Sequence, residues 1–538
     1  MKTVLKKGCF FIIIMLGSLQ ACTNLDEEVF SSVTESSYVL SPGDATKSLG
    51  AVYANLRPQI GFYTTYIQSI TTDEAVMPAN ASGWNDGGIY QRMHLHSWNS
   101  AQAHLIPLWN INYKGVLLCN KLIEQLMGDE IPLSSTENKL QLIAEAKTLR
   151  AYHYWQLFDN FGDVPLVTDT SLDLPVTSPR EDVYNYVIAE LLEAINDLSP
   201  EKTTANYGRI NKWGAKTILA NIYLNAEVYT GTSQYQACLS QCDDIINSGK
   251  YQLDANFSDP FKAKNENSNE NIFVIAFDDI YGTGFNAYHV TLHSANKRTF
   301  NTADSPYGAG CYKAVPQFID TYDSEDTRLK STWLSGIQYA SDGTVLTGAY
   351  ESKNKPLDFV NSMPDGLYTA EADGYRFNKY EIPLGSKTNL SNDWVLFRYA
   401  QVYMMKAECL LRTGDASGAG VLVSQVRQRA FKSTNPAKAT VTGSDLLGKS
   451  SYVYGNVANY ILTPQASSFP EQFGRFYDEL GWEFAGEMFR RRDMIRFGHY
   501  TKAEWLSHKP SEAYRTIFPI PQTVLNTNPD LKQNSNYN

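Results

Sequence analysis

Between residues 45 and 247, apolar residues recur at three- and four-residue spacing in one segment after another. No other pattern in the chain constrains its fold as much. Leu49, Val52, Tyr53 and Leu56 mark one face over 45–63. Leu108, Ile111, Leu118, Leu122, Ile123 and Leu126 mark the next, with Gly128 placed to end it in a left-handed conformation. Ser134-Ser135-Thr136-Glu137 has capping-box chemistry and opens a third helix through Leu140, Ile143, Ala144, Leu149, Tyr154, Leu157 and Phe158. Its apolar residues occupy more than one face, so it is expected to lie between neighbours. Phe161-Gly162-Asp163-Val164-Pro165 stops it. Pro179 opens a fourth, with Glu181 and Asp182 near the positive end, and 213–228 and 235–247 follow. Helices of similar length joined by short turns stack as antiparallel pairs, which predicts a tetratricopeptide-like solenoid. The full repeat consensus does not recur cleanly.

The helical period then lapses. The run 271–277 (NIFVIAF) reads as a buried strand or a short helix end. From 278 to 393 the chain is rich in Gly, Asn, Asp, Ser and Tyr, with β-like pieces at 332–339 and 375–382 and a brief helix around 314–322. Order resumes at 397–411 (FRYAQVYMMKAECLL). Gly414 ends that helix and Asp415 caps the next, whose face carries Ala419, Leu422, Val423, Val426 and Ala430. A last helix is expected over 473–496, and the tail 518–537 has Leu525 and Leu531 as anchors. The fold class is therefore mostly α: a tetratricopeptide-like helical-pair scaffold with a loop-rich insertion containing short β pieces. No linker divides residues 22–538, so a single domain is expected. Its helical scaffold lies mainly at 45–63, 100–250, 395–431 and 470–498. Its loop-rich part lies mainly at 64–99 and 270–393.

Lys2, Lys6 and Lys7 precede an apolar run over 9–16 and then small and polar residues up to Ala21-Cys22. This reads as a secretory leader over 1–21. The run is shorter than the roughly 20 apolar residues a spanning helix needs. Leu19-Gln20-Ala21-Cys22 resembles a bacterial lipobox, which would make Cys22 the lipidated first residue; plain secretion with an incidental Cys is the alternative. Several acyl chains hold far better than one. The formal charge of −11 argues against nucleic acid and against electrostatic docking on an anionic polysaccharide. Beyond Cys9 and Cys22 remain Cys119, Cys238, Cys242, Cys311 and Cys409, an odd number at irregular spacing with no full disulfide framework. Cys238 and Cys242, one helical turn apart, fit two small buried residues better than a bonded pair.

The stretch 71–98 carries the first candidate site. Asp73 and Glu74 precede a glycine-bearing loop with Trp84, Asn85 and Asp86. Tyr90, Arg92, His94, His96 and Trp98 then fall at period two, as on one face of a strand. An indole beside carboxylate and amide groups suits a sugar, ring against C–H bonds and polar groups on hydroxyls. Alone, the stretch reads as an ordinary loop whose Trp tucks into the core. The leader and the solenoid around it turn Trp84 into a binding candidate, with Asp73 and Asp86 as hydroxyl acceptors. Arg376, in Asp373-Gly374-Tyr375-Arg376, offers a planar donor fork for two adjacent hydroxyls, or a surface ion pair. His94-x-His96 with His104, and His289-x-x-x-His293, have ligand-like spacing but read as framework, so neither metal nor cofactor is expected.

Enzyme readings fare poorly. A glycosidase needs two carboxylates a set distance apart. Asp73 and Glu74 are adjacent and would point to opposite faces of a strand, as would Asp278 and Asp279. No Gly-x-Ser-x-Gly elbow, phosphate loop or His-Glu-x-x-His helix occurs. Arg490-Arg491-Arg492 with Asp493 and Arg496 is expected to form structural ion pairs with Glu487 and neighbours.

The order and spacing of many short pieces resemble the SusD/RagB family of Bacteroidetes outer-membrane, glycan-binding lipoproteins. They include Cys22 followed by Leu25-Asp26, Ala51-Val52-Tyr53, and Ala144-Glu145-Ala146 with Leu149-Arg150-Ala151 leading to Phe161-Gly162-Asp163-Val164-Pro165-Leu166. They continue with Gly208-Arg209-Ile210, Lys212-Trp213, Phe397-Arg398-Tyr399-Ala400, Lys406-Ala407-Glu408, Val426-Arg427 and Arg429-Ala430. Glu483-Phe484, Gly486-Glu487, Arg490, Arg492-Asp493, Arg496 and Pro519-Ile520-Pro521 through Tyr537 complete the match. Val524, Ser535 and Asn536 depart from the usual Glu, Pro and Gly of the tail. The acidic cluster Asp26-Glu27-Glu28 resembles the surface-export signal of such lipoproteins.

The resemblance implies a non-enzymatic protein that captures oligosaccharide at the cell surface and delivers it to a SusC-like TonB-dependent transporter. It also implies a glycan on the loop-rich side, where Cys311, Tyr288, Tyr307 and Trp333 would approach it. A neutral polymer such as a fructan or glucan is expected, since the candidate site lacks a Lys/Arg cluster for uronic acids. A peptide-binding, RagB-like member of the same architecture is the alternative, with a glycoside hydrolase behind it.

Overall fold

The computed structural model describes residues 39–60, 64–171, 173–286, 288–466 and 471–537. The leader, Cys22 and the acidic cluster at Asp26 lie outside these residues. Among the described residues there are nineteen α-helices and only short strands, so the fold is mostly α. No helix among them is long and apolar enough to cross a membrane.

The scaffold consists of α1 (Asp44–Ala54), α2 (Leu105–Met127), α3 (Lys139–Phe161), α4 (Arg180–Ala194), α5 (Lys212–Leu224) and α6 (Tyr235–Asn247), then α7 (Tyr399–Thr413), α8 (Ala416–Phe431), α9 (Gly474–Phe484) and α10 (Arg490–Arg496). Sequential neighbours pack together: α1 on α2, α2 on α3, α3 on α4, α5 on α6 and α7 on α8. Helix α7 packs directly on α6, so the solenoid continues across the interruption in sequence. Helix α3 is buried on most of its girth from Ala144 to Phe161, as its several apolar faces require. Cys238 and Cys242 line the buried face of α6 as free thiols. Asp415 caps α8 by accepting from the Gly418 amide at 2.8 Å, behind a left-handed Gly414.

Several boundaries differ from expectation, each for a local reason. Asn138, not Ser134, caps α3 by accepting from the Gln141 amide. Glu137 instead receives the amides of Ser134, Gly43 and Thr46, which ties the start of α1 to this turn. Gly128 stays at φ −79°, and Asp129 takes the left-handed turn. The expected last helix is two, α9 and α10. The chain turns at Gly486 (φ 73°), where an added Cβ would come within 2.2 Å of the Phe377 ring. Residues Ile89–His94 form a short helix rather than a strand, entered through left-handed Gly87 and Gly88, so the period-two alignment of Tyr90, Arg92 and His94 is coincidental.

Strands stitch the loop-rich segments together. A four-stranded antiparallel sheet runs β1 (Ala75–Val76), β4 (Lys313–Ala314), β7 (Arg376–Phe377), β5 (Trp333–Leu334). Others, in chain order, include β2 (Ala79–Asn80), β3 (Asn271–Ile275), β6 (Tyr368–Thr369), β8 (Trp394–Arg398), β9 (Gly455–Ala458) and β10 (Ile461–Pro464). Strand β2 pairs in parallel with β6, β3 antiparallel with β8, and β9 with β10 as a hairpin. The β1–β4 and β2–β6 pairs join 64–99 to the insertion, so the two loop-rich regions form one body.

A buried charge lattice holds that body to the scaffold. Arg398 meets Glu270 at 2.8 Å, Glu483 at 2.7 Å and Glu487 at 2.7 Å. Arg429 meets Glu270 and Glu483, and Arg328 meets Asp326 at 2.7 Å and both Glu479 and Glu483 at 3.2 Å. Lys379 donates to Glu487, and Arg427 to Glu479. All are buried. Burial alone would raise the Glu483 carboxyl, but Arg429, Arg398 and Arg328 hold it well below the ordinary range. The basic run on α10 is paired in the same manner, though not with Glu487: Arg490 binds Asp73, Arg492 binds Asp159, and Arg496 binds Glu408 and Asp493.

Candidate functional site

The loop between β2 and the Ile89–His94 helix carries the exposed part of the candidate site. Its base is set locally. Asn80 donates its amide to the Trp84 carbonyl at 3.1 Å and accepts from Ser82 through its side chain. Gln91 donates to the Asn85 side chain at 3.0 Å, and Arg92 to the Gly87 carbonyl at 3.1 Å. Trp84 is half-buried, its ring lying on Tyr90 with centroids 5.0 Å apart and planes tilted by 35°. One side of the indole is held by Tyr90. Asp86 beside it is exposed, at φ 46°.

The 307–311 turn approaches this loop. A Cβ built on Gly308 would lie 2.5 Å from the Ser82 hydroxyl and 3.7 Å from the Tyr350 hydroxyl, so three segments converge here. Tyr307 is exposed and Tyr350 half-buried. The sequence reading missed Tyr350. The signal that could have found it is slight: a single aromatic among the polar and glycine residues of 341–354.

The other expected contacts lie inside. Asp73 is fully buried; Arg490 holds both its oxygens at 2.6 and 2.9 Å, and Tyr454 and Tyr477 donate to it at 2.9 and 3.1 Å. It is a framework anion rather than a hydroxyl acceptor. Arg376, also fully buried, spends its fork on backbone: the carbonyls of Asp373 (2.6 Å), Gly374 and Glu371 (2.8 Å) accept from it, and its guanidinium lies over the Phe359 ring at 4.3 Å. Cys311 is 1% exposed, its thiol pushed up to about 12 by burial, which leaves it unreactive. Tyr288 donates to the Lys387 carbonyl at 3.1 Å from a buried position, and Trp333 stands edge-on to Phe377 and Phe318 in the core. These five residues are buried, and of the expected contacts Trp84, Asp86 and Tyr307 reach the surface.

The histidines also go inward. His94, His96 and His508 cluster with Trp505, and burial lowers His94 and His96 to about 3, so they are neutral framework. His293 accepts the Ala295 amide on Nδ1 and donates from Nε2 to Glu371 at 2.8 Å in the core. Among the described residues, no group of three or more His, Cys, Asp or Glu is arranged to hold a metal ion.

Comparison with known proteins extends this picture. A family model described as starch-binding and associating with the outer membrane matches residues 28–224. The starch-binding protein SusD of Bacteroides thetaiotaomicron is 28% identical over 523 residues, covering 89% of this chain and 86% of its own. Among solved structures, surface glycan-binding protein A from Bacteroides uniformis superposes with a TM-score of 0.69 at 19% identity, over 92% of this chain and 99% of its own. The protein of that name from Bacteroides thetaiotaomicron, in complex with laminarihexaose, gives 0.69 at 19% identity, over 91% and 99%. The SusD family model matches residues 217–516, more than half of the sequence, and the chain belongs to the SusD family.

Proposed function

We propose that this chain is a cell-surface glycan-binding lipoprotein. It captures oligo- or polysaccharide and passes it to a partner SusC-like TonB-dependent transporter. The observation that carries the glycan reading is Trp84, half-buried and braced on Tyr90, next to exposed Asp86 on a loop that meets Tyr307 and Tyr350. A rigid indole face with hydroxyl-accepting groups at its edge suits a sugar ring. Membership of the SusD family and the starch- and laminarihexaose-binding relatives support the same ligand class. Exposed Asp86 and the chain's net charge of −11 favour a neutral polymer, such as a glucan or fructan, over uronates. The lipid anchor is assigned to Cys22 and the location to the outer face of the outer membrane, in keeping with the outer-membrane description of the matching family.

Affinity gels and calorimetry over starch, laminarin, fructan and pectin test this reading. A neutral glycan should bind, and Trp84→Ala should weaken it at least about tenfold. A reducing-sugar assay on the bound polymer should stay flat; a rising signal would end the binding-only reading. Fatty-acid labelling lost in Cys22→Ala tests the anchor, and co-purification from outer membranes tests the transporter.

A peptide ligand is the second reading. It is favoured by a groove of about 630 Å³ between α7 and α8, walled by Tyr251, Tyr399 and Tyr403 and edged by Gln425 and Gln428. Peptide binding that survives Trp84→Ala would favour it.

A further inference from the structure

Resting on the glycan reading above, we propose that Tyr460 and Tyr368 form a second sugar platform, which extends the Trp84 surface so that a chain of several sugar units is gripped at two places. Tyr368 opens β6, which pairs with β2, so it lies opposite Ala79 at the root of the Trp84 loop. It is 46% exposed and its hydroxyl donates to exposed Glu351 at 2.7 Å. Tyr460 arrives from elsewhere in the sequence, at the tip of the β9–β10 hairpin, and is 54% exposed. Its amide donates to the Pro364 carbonyl, and its hydroxyl reaches Asp373 at 3.3 Å. Both phenols are thus oriented by carboxylates while their rings stay in solvent.

The backbone supplies an independent observation. The hairpin turns through Asn459 (φ 50°) and Tyr460 (φ 67°), a two-residue turn that needs positive φ at both positions. Glycine is the ordinary occupant of the second position, and a bulky L-residue is strained there. A bulky residue held in that conformation by Pro364 and Asp373 while half of it stays exposed points to a role for the exposed ring. Two tyrosine faces beside carboxylates suit the C–H faces and hydroxyls of a neutral sugar, and they repel sulfated or uronic acid chains.

Tyr460→Gly is the informative variant, because it relieves the strained turn while removing the ring. Expected are a melting temperature equal to or above that of wild type, and an affinity for the preferred polymer weakened about tenfold. Tyr368→Ala should weaken it similarly. Tyr460→Phe, which keeps the ring, should bind nearly as wild type. A monosaccharide of the same glycan, which cannot occupy both platforms at once, should bind at the Trp84 surface of Tyr460→Gly and wild type alike. If the wild type binds glycan and Trp84→Ala abolishes it, while Tyr460→Gly and Tyr368→Ala bind normally, the second platform is refuted and the glycan reading stands. If the wild type binds no glycan, both fall. Should Tyr460→Gly lose stability, Tyr368→Ala decides by the same criterion.

Discussion

Replacing Glu483 with glutamine removes one negative charge from the middle of the buried lattice and leaves the side chain's size unchanged. Three guanidiniums face that carboxylate: Arg429 at 2.5 Å, Arg398 at 2.7 Å and Arg328 at 3.2 Å. Each keeps another anion, Glu270 for Arg429, Glu270 and Glu487 for Arg398, and Asp326 and Glu479 for Arg328. No cation is orphaned, but the lattice gains one uncompensated positive charge away from water. Removing one partner of a buried pair costs ~3–5 kcal/mol. Glutamine retains one acceptor oxygen, so a loss of about 3 kcal/mol is expected. For a chain of 538 residues at ~2.1 cal/mol/K each, the unfolding entropy is roughly 1 kcal/mol/K, so the melting temperature should fall by about 3 °C. Denaturant titration should show the same free-energy loss. The sign of the pH dependence follows from the depressed carboxyl: its stabilisation is present above the ordinary 4.5 and is lost as pH falls toward the folded value. The gap between wild type and E483Q should therefore narrow by about 1 kcal/mol at pH 4. Lys147→Ala, which breaks an ion pair with the exposed Glu193, serves as the surface control and should cost under ~1 kcal/mol. If E483Q is as stable as the control, the lattice does not hold the insertion to the scaffold.

Asp73→Asn should lower the melting temperature through its bond to Arg490 while leaving the glycan affinity of the folded protein unchanged; a selective loss of affinity would return Asp73 to the site. Stability should fall steeply as pH drops from about 6.5 toward 4, because burial lowers His94, His96, His104 and His153 to about 3 and His499 to about 4. Below pH 6.5 the unfolded chain takes up protons that the folded chain refuses, worth about 2 kcal/mol per histidine between pH 7 and 5. Glu74 and Asp478, raised by burial to about 7 and about 6, gain protons in the folded state and blunt this fall. A denaturant midpoint that is flat from pH 7 to 5 would contradict the buried, neutral assignment. Gly486→Ala should destabilise by more than about 2 kcal/mol in thermal melts, since it meets both a left-handed backbone and the Phe377 ring.

Local patterns were legible where local forces decide. Helix α6 was bounded to the residue by its amphipathic period, and Asp415 was recognised as a cap because capping is a three-residue interaction. The helix at Ile89–His94 was misread because five residues happened to alternate, while the deciding feature was backbone torsion at Gly87 and Gly88. The break between α9 and α10 depends on Phe377, a residue more than a hundred positions away. The site shows the same division. Trp84 and Asp86 could be found from a polar loop on a scaffold. Asp73 and Arg376 looked equally suitable, and nothing near them in sequence reveals that Arg490 neutralises the one and that carbonyls from Ala309 to Gly374 surround the other. Tyr460 was invisible because its neighbours Pro364 and Asp373 come from another segment.

The direct packing of α7 on α6 has a consequence for how such a chain can diversify. The excursion from Asn247 to Tyr399 leaves and re-enters the rod at adjacent points, so its length and sequence can change without moving the helices on either side. It is fixed by the β1–β4 and β2–β6 pairs and by Glu270, Asp326, Arg328 and Lys379, which reach into the charge lattice. A chimaera that keeps those residues and strands and imports the rest of the excursion from a relative should keep the rod and the Trp84 loop, and change only the part of the surface built by Tyr307 and Tyr350.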